Sequence, residues 1–223
     1  MGVNFDHLIA LVRDKSSSKF VVALSLGLWG VVLLGGLGWL WAYDAAPSVQ
    51  GSAPRHWPGA TSIAFVSSRY NLLVFLHPNC PCSKATVGEL ARIMANSRDR
   101  INARILVTQL ADVPEAAIRT DLFQSAAAIP GVTVEIDSGD NEARRFAAAS
   151  SGQTLLYDPQ GDLVFSGGIT ASRGHWGDND GEEAILALIA KERTNLCQTP
   201  VYGCELFTQS ATQSCERRPS CPK

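Results

Sequence analysis

No long basic run occurs anywhere in the sequence, and 19 Lys and Arg are balanced by 21 Asp and Glu for a formal charge of -2. The broad positive footprint that nucleic acid requires is therefore missing, and nucleic acid is not an expected partner. Internal repeats and low-complexity tracts are lacking too. The most telling absence is local: "FVVALSLGLWGVVLLGGLGWLWAY", residues 20–43, contains no charged side chain. Roughly 20 apolar residues suffice to cross a bilayer as a helix. The stretch is apolar all round, unlike the one-sided pattern of a surface helix, and it ends in Trp39, Trp41 and Tyr43, rings favoured at a membrane interface.

Arg13, Lys15 and Lys19 precede this span, whereas Arg55 alone follows closely, so the positive-inside rule predicts a cytoplasmic N-terminus and an outward-facing remainder. The apolar region exceeds the usual length of a cleaved signal, and "WAYDAAP" is a mediocre cleavage site, which favours a retained anchor. All six cysteines lie beyond the span, in a compartment where disulfides persist. The expected location is the bacterial inner membrane, single-pass, with the C-terminal domain in the periplasm.

The chain then divides into residues 1–19 as a short cytoplasmic segment, 20–43 as the span, 44–60 as a linker, 61–195 as a folded domain and 196–223 as a cysteine-rich tail. "DAAPSVQGSAPRHWPGA" has the Pro, Gly, Ala and Ser content of a tether. "NLLVFLH" reads as a buried strand. "SKATVGELARIMANS" places Val87, Leu90, Ile93 and Met94 on one helical face. "ARILVTQL" and "VTVEI" read as strands, "PEAAIRTDLFQSAAA" as one helix starting at a proline, and "DNEARRFAAAS" as a short helix. Such alternation predicts an α/β sheet built from right-handed crossovers. "QTLLYDPQGDLVFSGGI" is a hairpin about a Pro and Gly turn, and a last helix carries Ala184, Ile185, Leu188 and Ile189.

Between the first strand and its helix lies "HPNCPCS". A strand feeding a helix brings free amide N–H groups and the positive end of the helix dipole to the sheet edge, where they favour a thiolate. Pro81 suits the first helical position, which would place Cys80 at the N-cap and Cys82 in the first turn. A disulfide between them closes a very small ring, so the pair is expected to be strained and oxidising. Cys80, expected to be the more exposed thiol, would attack and Cys82 resolve. His77 with Cys80 and Cys82 could alternatively hold copper or zinc, through soft sulfur and imidazole donors. No cofactor is required by the first reading.

The strand carrying the cysteines and the second hairpin strand should end at the same sheet edge, so "GGITASRGHWGDND" is expected beside the thiols. His175 is its candidate base or metal donor, with Asp178 and Asp180 weaker candidates. In the tail, Cys197, Cys204, Cys215 and Cys221 are expected to form two structural disulfides. Four cysteines allow three pairings, and no spacing has the short Cys-X2-Cys pattern of a zinc knot.

The segment from about Thr61 to Arg193 resembles the thioredoxin-like family, especially its membrane-tethered branch related to TlpA and ResA. "FLHPNCPCSKATVGEL" occupies that branch's active-site segment, and "VTVEIDSGDNEARRFAAASSGQTLLYDPQGDLVF" its extra strand, helix and hairpin. "FLHPNCPCS", "GGITASRGH" and "TPVYGC" are similar to membrane proteins labelled RedB. The resemblance implies a thioredoxin-like fold, a central mixed β-sheet flanked by helices, behind one N-terminal transmembrane helix. It also implies thiol-disulfide exchange with a protein thiol or disulfide partner in the periplasm. Two departures stand out: the family's Cys-X-X-Cys is here Cys-X-Cys, and its cis-proline aligns with Gly152. A metal-binding module and a scaffold without catalysis are the competing readings.

Overall fold

The computed structural model describes residues 5–97, 99–109, 114–119, 121–192 and 194–207. The chain separates into two units, Met1–Ala45 and Ala46–Lys223. The first holds helix α1 (Phe5–Ala45), of which Ser18–Ala45 is long and apolar enough to cross a membrane, with mean hydropathy 2.3 and no buried side chain in its most apolar window. A helix apolar on every side and exposed along that length has the character of a span rather than of a core helix.

In the second unit, five strands form one sheet in the order β3-β2-β1-β4-β5. They are β1 (Tyr70–Leu76), β2 (Ile101–Thr108), β3 (Val132–Asp137), β4 (Thr154–Tyr157) and β5 (Leu163–Gly167). β1, β2 and β3 are mutually parallel, while β4 runs antiparallel to both β1 and β5. The parallel pairs require crossovers. Helix α2 (Ser83–Ser97) links β1 to β2, and the short α3 (Glu115–Ile118) and α4 (Asp121–Ala127) link β2 to β3.

β1 is central, and Leu72 through Leu76 have no solvent exposure, as a strand covered on both faces demands. Its alternation divides the core. Leu72, Val74 and Leu76 pack with Val87, Leu90 and Ile93 of α2 and with Ile185 and Ile189 of α6 (Asp180–Ala190). Leu73 and Phe75 face the other way, onto Phe146, Leu155 and Tyr157 beside α5 (Asn141–Arg145). Truncating a buried phenylalanine such as Phe75 to alanine typically costs about 3–5 kcal/mol through lost burial and the cavity left behind.

Three local readings are corrected. The helix expected from Pro114 onward is two helices, because the chain leaves helical dihedrals at Arg119 (φ -74, ψ 56) and Asp121 opens a new first turn with its carboxylate. The helix over "DNEARRFAAAS" stops at Arg145. Ala147 takes φ 51, and its N–H and that of Ala148 return to the Arg144 and Ala143 carbonyls.

Third, the linker is no free tether from Ser48 onward. Ser48 N–H donates to the Val201 carbonyl at 2.7 Å, Gly51 N–H to the Gln153 side chain at 3.1 Å, and Trp57 N–H to the Gly161 carbonyl at 2.8 Å. Its low periodicity reflected irregular backbone, which here finds its partners along the domain rather than in water.

Candidate redox site

The cysteine turn is built at the C-terminal end of β1. The His77 carbonyl accepts from Cys80 N–H at 3.1 Å and from the Ser83 hydroxyl at 3.2 Å, and the Cys80 carbonyl accepts from Ser83 N–H at 3.1 Å. The helix therefore starts at Ser83, two residues later than Pro81 would place it. Cys82, not Cys80, takes the N-cap position, and its carbonyl accepts from Ala85 N–H at 3.1 Å and Thr86 N–H at 3.4 Å. The expected ranking of exposure is also reversed: Cys80 is 3% and Cys82 9% exposed. The reason is the C-terminal tail, which lies over Cys80.

That tail is docked by backbone pairing. Ser151 N–H donates to the Cys204 carbonyl at 2.8 Å and Leu206 N–H to the Ala149 carbonyl at 2.9 Å, around an antiparallel bridge between Ser150 and Glu205. Gly203 fits closely, since a Cβ there would overlap the Ser151 carbonyl. Its carbonyl accepts from the Ser48 hydroxyl at 2.6 Å and from Arg173 at 3.2 Å. In consequence the Cys204 N–H donates to the Cys80 sulfur at 3.4 Å.

Cys204 thus departs from its expected role in a structural disulfide. Its thiol is free and exposed, and the tail places it against Cys80. Cys197 is disulfide-bonded. Cys215 and Cys221 lie outside the described residues.

The three free thiols differ in acidity for identifiable reasons. Burial opposes ionisation of Cys80, but hydrogen bonds from the Cys204 N–H and thiol, the Cys82 N–H and the Ser151 hydroxyl outweigh it and hold its pKa below the ordinary value. Cys82 is pushed up by burial and by the adjacent Cys80 charge, against opposing help from Arg173 and the Gly174 N–H. Cys204 remains an exposed residue, yet partial burial and its hydrogen bond to the Cys80 thiolate push it up to about 11. Of the three, Cys80 is the thiol whose ionised form is favoured, and a thiolate is the nucleophilic and better-leaving form.

The neighbouring loop reaches the thiols through Arg173 and Gly174, not through His175, which is exposed and holds its own turn with an N–H bond to the Ser172 carbonyl at 3.3 Å. His77 is half-buried, and burial lowers its pKa against the opposing charge of Asp140. Its Nδ1 accepts from Asn79 N–H at 3.2 Å. Asp178 pairs with Arg92 at 3.1 Å, and Asp180 opens α6. Among the described residues no group of three or more His, Cys, Asp and Glu is arranged to hold a metal ion.

Gly152 has φ 88, and its N–H donates to the Phe75 carbonyl at 2.8 Å. Ser151 and Arg173 were not singled out from sequence, although each stands in a stretch that drew attention, beside Gly152 and within "ASRGH". A surface cavity of about 480 Å³ is lined by Tyr70, Arg100 and Lys191, at the start of β1 rather than its cysteine end.

The sheet order, with a parallel β1-β2-β3 block and an antiparallel β4-β5 hairpin beside a cysteine turn at the end of β1, defines a thioredoxin-like α/β fold. No protein-family model matches the chain. No curated protein matches it either. Solved structures do. An uncharacterized conserved protein from Geobacillus kaustophilus superposes with TM-score 0.53 at 17% identity, over 75% of this chain and 95% of that one. A hypothetical protein from Sinorhizobium meliloti 1021 gives 0.50 at 17% identity, over 74% and 96%. The pneumococcal exposed lipoprotein thioredoxin Etrx1 from Streptococcus pneumoniae strain TIGR4 gives 0.42 at 16% identity, over 56% and 86%. At these identities the likeness to the first two speaks to the fold alone, and a fold hosts many functions.

Proposed function

We propose that the protein is a membrane-anchored thiol-disulfide exchange protein, its domain held on the periplasmic face of the bacterial inner membrane. The observation that carries this reading is the Cys80 sulfur: four hydrogen-bonding groups converge on it and outweigh its burial, and a second thiol, Cys82, hydrogen-bonds to it. Structural cysteines need no such arrangement. The span and the Arg13, Lys15 and Lys19 cluster before it support the orientation, and the motifs shared with RedB-labelled proteins and the TlpA and ResA branch support the assignment.

In the exchange, a Cys80 thiolate attacks one sulfur of a partner disulfide. The bond from Cys80 to that sulfur forms as the partner's own bond breaks, and the leaving sulfur departs as a thiolate that takes up a proton. Cys82 then displaces the partner from Cys80, leaving the protein oxidised and the partner reduced by two electrons. The reverse sequence oxidises a partner dithiol.

The full-length chain in detergent, equilibrated in graded glutathione buffers without metal, tests this. Mass spectrometry should find Cys80 entering an intramolecular disulfide reversibly. If Cys80 stays a free thiol across the whole range, exchange chemistry is excluded as its function.

A further inference from the structure

The Cys-X-Cys pair has a difficulty that the tail resolves. Cys80 and Cys82 are 3% and 9% exposed, so a protein disulfide or dithiol meets little of either sulfur. Cys204 is exposed, carries a free thiol and hydrogen-bonds the Cys80 sulfur through both its N–H and its thiol. Residues 124 positions apart have been brought into this contact by a tail fixed at several points on both sides of it. Thr199 donates to the Gly168 carbonyl at 2.7 Å, Val201 and Leu206 are buried, and Gly203 lies on Ser151 with no room for a side chain. Cys197 is disulfide-bonded, whereas Cys204 is free.

We infer that Cys204 is a third redox cysteine, which takes the oxidised bond from the buried Cys80–Cys82 pair and presents it to protein partners at the surface. The inference rests on the reading of Cys80 as an exchange thiol. The transfer needs no outside oxidant: the Cys204 sulfur attacks Cys80 of the Cys80–Cys82 disulfide, the Cys80–Cys204 bond forms, and Cys82 leaves with the proton that Cys204 gives up. A partner thiolate then attacks the exposed Cys204 sulfur, and Cys80 departs as a thiolate. The partner's second thiol displaces Cys204 from the mixed disulfide, so that two electrons pass from the partner dithiol to the protein. Run backwards, the same steps reduce a partner disulfide.

The leaving step favours this order of bonds. A sulfur of low pKa leaves faster, and Cys80 is the acidic member of the pair. The tail also explains why the Cys80 thiolate tolerates burial, since two of the groups that stabilise it belong to Cys204 itself.

The test uses the full-length chain in detergent, with Cys82→Ser and Cys204→Ser variants equilibrated in glutathione buffers and their disulfides mapped by mass spectrometry. Cys82→Ser should still close a reversible Cys80–Cys204 bond. Cys204→Ser should keep the Cys80–Cys82 bond but lose at least about tenfold in its rate of exchange with a reduced, unfolded ribonuclease. The relay is overturned, with the exchange reading intact, if Cys82→Ser yields only glutathione adducts on Cys80 while the unaltered chain closes Cys80–Cys82. It is equally overturned if Cys204→Ser exchanges with ribonuclease at the unaltered rate. Should Cys80 join no disulfide in any of the three proteins, both readings fall.

Discussion

Ser151→Ala separates the chemistry of the site from its packing. The Ser151 side chain is almost wholly buried, and its hydroxyl serves three neighbours: it accepts from His77 N–H at 3.0 Å, lies 2.9 Å from the Ser83 hydroxyl and donates to Cys80. Ser83 keeps a second partner in the His77 carbonyl at 3.2 Å, so the group left orphaned is the His77 N–H. An unsatisfied donor of this kind costs about 1–3 kcal/mol. For a chain of this size each kcal/mol lowers Tm by about 2–4 °C, so a fall on the order of 5 °C is expected.

The effect on Cys80 has a definite sign. Its folded-state pKa lies below the ordinary thiol value, so its ionisation adds stability that is complete above that ordinary value and is lost as pH falls through the folded one. Removing the Ser151 donor raises the folded pKa and narrows that window. The assay is the pH profile of iodoacetamide alkylation at Cys80, followed by mass spectrometry alongside thermal melts. The midpoint should move to higher pH and the rate at neutral pH should drop. A lowered Tm with an unmoved midpoint would refute the assignment of Ser151 as a thiolate donor.

Gly152→Pro should destabilise the domain by roughly 3 kcal/mol or more in urea titration. Proline fixes φ near -65° where Gly152 has φ 88, and it removes the N–H bonded to Phe75. Gly203→Ala should lift the tail from Ser151, and faster alkylation of Cys80 at a pH where it is fully ionised would show that. An unchanged rate would mean that the tail is not what covers the thiol. A membrane-impermeant maleimide added to intact spheroplasts should label Cys204, and labelling seen only after lysis would reverse the orientation.

The elements whose partners are local were legible in advance. Val87, Leu90 and Ile93 at helical spacing, and a run of apolar residues ending at Leu76, specify α2 and β1 by their own pattern. The sharing of one sheet edge by β1 and β5 followed from strand directions alone. The surroundings of the thiols were not legible, because they depend on contacts across the chain. Ser48, Arg173 and Gly203 meet through a hydroxyl, a guanidinium and a carbonyl, and no periodicity records such a meeting. Cysteine spacing grouped Cys204 with Cys197, Cys215 and Cys221, whereas the pairing of 204–206 with 149–151 puts it at Cys80. His77 and His175 attracted attention as residue types suited to catalysis, yet the groups acting on the thiols are Ser151, Arg173 and backbone N–H groups.

The docked tail both causes the burial that opposes a Cys80 thiolate and supplies part of the hydrogen bonding that overcomes it. These two actions start and stop together. With the tail in place, Cys80 is a desolvated thiol of lowered pKa, the best leaving group of the three, which water and partners barely reach. With the tail lifted, the sulfur would lose its cover together with the two Cys204 donors, while the Ser151 hydroxyl and the Cys82 N–H would stay beside it. Intrinsic nucleophilicity rises with pKa while leaving ability falls. The position of a short tail therefore bears both on access to this sulfur and on the hydrogen bonds that stabilise its thiolate. That coupling needs no movement of the sheet, and it accounts for a glycine at 203, the residue that lets the backbone come close enough to Ser151 for the tail to seat.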